Sequence, residues 1–120
     1  MTRITFYKSK GVFYGFEEQG HTGFDDAGQD VLCSAISAMT MLIINAIEVS
    51  YGSIADYFID DETTNIKLIA RGALASYETD EKKRYAIAGL ILAYYEQLKE
   101  LTEEYYEYLS VEAVERELAE

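Results

Sequence analysis

An α+β fold is predicted, in the order β-β-α-β-β-α, with a mainly antiparallel four-stranded sheet packed against helices. Three observations carry it. Two pairs of short segments alternate apolar and polar residues, the period of a half-buried strand. Each pair is followed by a long segment with the composition or spacing of a helix. No linker rich in proline, glycine or serine divides the two halves, and the chain has no proline at all. Hairpins alternating with helices point to helices laid on an antiparallel sheet. With 120 residues, 49% of them hydrophobic, a single domain over residues 1–120 can bury one core.

Residues 2–7 alternate, with Ile4 and Phe6 on one face and Arg3 and Thr5 on the other. Lys8 to Gly11 read as a turn, and a second alternating run puts Val12, Tyr14 and Phe16 on one face, ending near Gln19. Asp30 is suited to cap a helix that runs to about Ser50, where Tyr51 and Gly52 stop it. That helix is apolar on nearly every side and is expected to lie buried. Strands are expected at 53–59 and 64–70, with Asp60, Asp61 and Glu62 at the solvated turn between them. Thr79 or Asp80 caps a long amphipathic helix over about 80–109, striped by Ile87, Leu90, Ile91, Tyr94, Leu98 and Leu101. Its second half holds five of the eleven tyrosines, which suits either core packing or a subunit interface. Ser110 then begins a short acidic terminal helix.

The net charge of −12 argues against direct nucleic-acid binding, because no basic stripe can displace phosphate counterions. It suits a basic partner, met by electrostatic steering. A single cysteine excludes an internal disulfide and fits a reducing compartment; with no signal-peptide pattern at the N-terminus, a cytoplasmic location is expected. Residues 31–47 carry no charge, yet the run is short for a membrane span and lacks basic flanks. A core helix, with no membrane contact, is the expectation. The acidic trio at 60–62 lacks a histidine or second cysteine beside it, and no metal or cofactor is expected.

Chemistry concentrates in residues 20–37, which hold the only histidine, His21, and the only cysteine, Cys33. With Asp30 as N-cap, Cys33 falls in the first helical turn, where unpaired N–H groups favour a thiolate and an oxyanion. His21, at a strand end, can return over that helix start through the loop of residues 22–29. Imidazole suits proton transfer from a thiol and back to a leaving amine, so the pair is a minimal set for acyl transfer through a thioester. The same residues also have plain structural readings: an inert core cysteine and a turn histidine. Asp30 has two candidate roles, helix cap or partner of His21, and Ser37 lies one turn after Cys33 on the same face. No second cysteine is present to resolve a redox cycle.

At these residues the chain resembles the ribosomal-processing cysteine protease family, Prp. The resemblance rests on Gly20-His21, on a short loop holding Thr22, Gly23, Phe24 and Gly28, and on Asp30-Val31-Leu32-Cys33 followed by Ser37. The hairpin before this motif and the order of elements after it match too. The resemblance implies Cys33 as nucleophile, His21 as base, and Asp30 and Ser37 in support. Gly20, Thr22, Gly23, Phe24 and Gly28 then belong to a flexible loop at the substrate. It also implies a homodimer that removes an N-terminal extension from the precursor of a large-subunit ribosomal protein, cut after a segment with paired aromatic residues. One departure is Cys33-Ser34-Ala35, where the family commonly has Cys-Ala-Ala. The alternative is a non-catalytic dimeric binding protein acting in ribosome assembly.

Overall fold

The computed structural model describes residues 1–20, 27–60, 62, 63 and 65–118, and only the backbone of residues 27–30. The first hairpin pairs β1 (Thr2–Ser9) with β2 (Val12–Gln19). Its two turn residues, Lys10 and Gly11, both have positive φ, the twist a two-residue hairpin turn needs. The Glu115 carboxylate accepts from both of their N–H groups, at 3.0 and 2.8 Å, and so pins the turn.

Helix α1 (Ala27–Asn45) follows and closes in a π turn over residues 46–50. Tyr51 N–H donates to the Ala46 carbonyl there, and Tyr51 and Gly52 end the helix as expected. Strands β3 (Ala55–Ile59) and β4 (Ile66–Ala70) form the second hairpin. Between them the Asp60 carboxylate accepts from the Glu62 and Thr63 N–H groups and turns the chain. Helix α2 (Glu81–Glu104) is capped by Asp80, whose carboxylate accepts from the Lys82 N–H at 3.0 Å and the Lys83 N–H at 3.4 Å.

The last element departs from expectation. Residues 109–115 form a fifth strand, β5 (Leu109–Glu115), instead of a helix, and it lies parallel to β1. The sheet order is β3-β4-β2-β1-β5. Glutamate and alanine favour a helix locally, but Leu109 and Val111 alternate with exposed Ser110 and Glu112. A free β1 edge rewards that period with a ladder of backbone hydrogen bonds. The fold class holds, with five strands in place of four.

Both helices cover one face of the sheet. Phe6 meets Phe16, Tyr94 and Tyr95 at ring separations of 5.3, 5.8 and 5.2 Å. Leu32, Ile36, Ile44, Leu68, Ile87, Ile91 and Leu98 complete the buried layer. A register shift in the first hairpin changes the expected facing. Phe13 turns toward α2, 5.1 Å from the Tyr95 ring, while Tyr14 stacks on Tyr7 and Val12 is exposed. Helix α2 ends at Glu104, short of the expected 109, so Tyr105, Tyr106 and Tyr108 follow it. Tyr94 is core, Tyr95, Tyr105 and Tyr108 are half-buried and Tyr106 is exposed, so most of these five tyrosines serve packing.

Helix α1 is not buried all round. Leu32, Ile36, Ile43 and Ile44 face the core, but Val31, Ala35, Ala38 and Leu42 lie exposed on the opposite stripe. Residues 31–50 are long and apolar enough to cross a membrane, and here one side of that run packs on the sheet.

Candidate active site

Strand β2 ends at Gln19, and Gly20 then takes φ +81°, turning the chain out of the sheet immediately before position 21. Two contacts hold the turn. The Asn65 side chain accepts from the Gly20 N–H at 3.2 Å, and the Met1 carbonyl packs where a Cβ would stand. Met1 is itself fixed, because the next N–H, on Thr2, donates to the Tyr108 carbonyl at 2.8 Å. Gly20→Ala combines a left-handed residue with that collision and is expected to destabilise the fold by about 1–3 kcal/mol, read as a lower urea midpoint. Asn65 was not foreseen, since nothing local ties a residue 45 positions away to this turn.

His21, Thr22, Gly23 and Phe24 lie outside the described residues. Gly28 falls in the backbone of α1, not in the loop expected over residues 22–29. Helix α1 begins at Ala27, before Asp30, and Asp30 is its fourth residue, not its cap. Cys33 is the seventh residue, beyond the N–H groups that a helix start leaves unpaired. The expected first-turn stabilisation of a thiolate is therefore weakened, since dipole effects fade within one turn. Cys33 is half-buried, on the flank between the core-facing Leu32 and Ile36 and the exposed Ser37. Asp30, Cys33 and Ser37, at i−3, i and i+4, share one helical face.

That face continues into the core at Thr40, and there the structure holds a polar cluster that the sequence reading missed. Glu18 of β2 is fully buried, with Thr40 of α1 and Tyr94 of α2 nearly so. The Thr40 hydroxyl donates to Glu18 Oε1 at 2.6 Å and the Tyr94 hydroxyl reaches the same oxygen at 3.0 Å. The two hydroxyls are 2.8 Å apart, and Tyr94 also approaches the Ile36 carbonyl at 3.3 Å. Burial, and then the neighbouring Glu18 carboxylate, push the Tyr94 phenol far above its usual range, so it stays a neutral donor. A signal existed: Glu18 sits two residues after Phe16, in the buried phase of the strand.

Comparison with known proteins adds to this geometry. Residues 1–110 match the family described as cysteine protease Prp. No curated protein matches. Among solved structures, SMU.848 from Streptococcus mutans is similar at a TM-score of 0.78 and 24% identity, covering 97% of this chain and 99% of that one. The essential ribosomal processing protease Prp from S. aureus, solved with a substrate peptide, gives a TM-score of 0.73 and 19% identity over 95% of this chain and 100% of that one. The same S. aureus protease with a covalently linked product peptide gives 0.71 and 20%, with the same coverage. At these identities the structures establish a shared fold. The family match spans the hairpin, the Gly20-His21 pair, the helix of Cys33 and the start of β5, and the chain belongs to the cysteine protease Prp family.

Proposed function

We propose that this chain is a cytoplasmic cysteine endopeptidase, acting as one domain over residues 1–120, that removes the N-terminal extension of a large-subunit ribosomal protein precursor. The observation that carries the reading is the family match over residues 1–110, which takes in both Gly20-His21 and Asp30-x-x-Cys33. Cys33 Sγ attacks the scissile carbonyl after His21 takes its proton. His21 returns that proton to the leaving amine, and water then opens the thioester. With Cys33 in the second helical turn, activation of the thiol rests on His21 more than on the helix start. Asp30, on the Cys33 face, orients His21, and the exposed Ser37 borders the reacting carbonyl. Gly20, Thr22, Gly23 and Phe24 line the peptide's approach. The acidic chain steers a basic precursor toward it, so the encounter weakens as salt rises.

The test is direct. Incubation with a peptide copying the extension is expected to yield two fragments by mass, and a Cys33→Ala variant that still cuts would sink the mechanism.

The proposal includes a homodimer. Val31, Ala35, Ala38 and Leu42 form an exposed, uncharged stripe on a chain of net charge −12, which supports this stripe as the surface where two copies meet. Leu42 is 63% exposed, and Leu42→Glu is expected to convert a dimer to a folded monomer in light scattering, whereas a dimer that survives the change places the interface elsewhere.

A further inference from the structure

The candidate base and the candidate nucleophile sit on different elements, and one buried cluster ties those elements together. Glu18 lies three residues before His21 on β2. Thr40 lies seven residues after Cys33, two helical turns along the same face of α1. Tyr94 braces both from α2, and its hydroxyl also reaches the carbonyl of Ile36, within one turn of Cys33. All three side chains are at most 4% exposed, so solvent does not compete for their contacts. Apolar packing alone tolerates small slides of a helix over a sheet. Hydrogen bonds of 2.6 and 3.0 Å onto one carboxylate oxygen select one position along the strand and one rotation of the helix.

We infer that Glu18, Thr40 and Tyr94 form a positioning clamp that sets the distance and angle between the end of β2, which leads to His21, and the face of α1 that carries Cys33. The three are positioning residues: none touches the reacting atoms, and each acts through the two elements it joins. The inference rests on the protease reading, because the clamp has a catalytic consequence only if His21 and Cys33 work as a pair. Charge, burial and distance all favour this role over a simple core contact. A buried carboxylate is a costly way to fill space, and an apolar residue would fill the same volume more cheaply.

The probe is iodoacetamide, whose attack on Cys33 at pH 7 reports how far the thiol is activated. His21→Ala is expected to slow alkylation and to give the rate of an unassisted thiol. Thr40→Val removes one clamp donor at nearly constant shape, and Tyr94→Phe removes only a hydroxyl. Both variants, confirmed as folded by circular dichroism, are expected to alkylate about tenfold more slowly, toward the His21→Ala rate. Thr40→Ser, which keeps the hydroxyl, restores the wild-type rate. A role in stability alone would not slow the thiol of a folded variant, nor be rescued by serine. If Thr40→Val does not fold, Tyr94→Phe decides. Folded clamp variants that alkylate at the wild-type rate, beside a slowed His21→Ala, overturn the clamp and leave the protease reading standing. A His21→Ala rate equal to wild type overturns the paired thiol and the clamp together.

Discussion

Cys33→Ala is expected to leave a folded protein that no longer cuts the extension peptide, with turnover reduced at least about a thousandfold. The change removes one sulfur from a half-buried site on α1, where alanine is a better helix former than cysteine, so the fold should survive it. What disappears is the only atom in the chain able to form a thioester. His21→Ala should fall to a comparable level, because nucleophile and base act as a unit and losing either removes most of their joint effect. The measurement is cleavage followed by mass spectrometry, with circular dichroism of each variant as the check on folding. The double variant should be little worse than either single one. A double variant that loses the full sum of both effects would show two independent contributions and defeat the paired mechanism.

Phe6→Ala is expected to have the largest effect on stability. The ring is completely buried at the centre of the aromatic cluster, with Phe13, Phe16, Tyr94 and Tyr95 around it at separations of 6.3, 5.3, 5.8 and 5.2 Å. Truncation removes contacts to β2 and α2 at once and leaves a cavity that rigid neighbouring rings cannot close. The cost is about 3–5 kcal/mol, a large share of the roughly 5–15 kcal/mol that holds a domain of this size. A midpoint of thermal unfolding lower by roughly 10 °C or more is the expected reading. A drop of only a degree or two would mean that the cluster repacks and that Phe6 is not its centre.

The same cluster shows where local sequence suffices. The first hairpin is legible because a short alternating run meets Lys10-Gly11, and the turn geometry follows from two residues. Helix α2 is legible because Asp80 and an apolar stripe repeat at helical spacing within one segment. Each of these depends on neighbours a few residues away. The register shift in the hairpin was not legible, since it depends on how Phe13 and Tyr14 divide between Tyr95 on one face and Tyr7 on the other. Strand β5 was not legible either. Its residues suit a helix in isolation, and only the open edge of β1, over a hundred positions earlier, makes the strand the better choice.

The candidate site divides along the same line. From the sequence alone come the identity of the lone His21 and Cys33, their spacing, the strand before the one and the helix under the other, and through these the family. Those are facts of composition and short-range order, carried by covalent neighbours. Only the folded structure shows that Asp30 lies inside α1 and not at its cap, and that Cys33 lies beyond the first turn. It also decides that Asn65 steadies the turn at Gly20, and that Glu18, Thr40 and Tyr94 converge from three elements. Such contacts join residues 22 to 76 positions apart. No periodicity encodes them, because a buried polar group is placed by whichever partners the folded layers bring within hydrogen-bond reach.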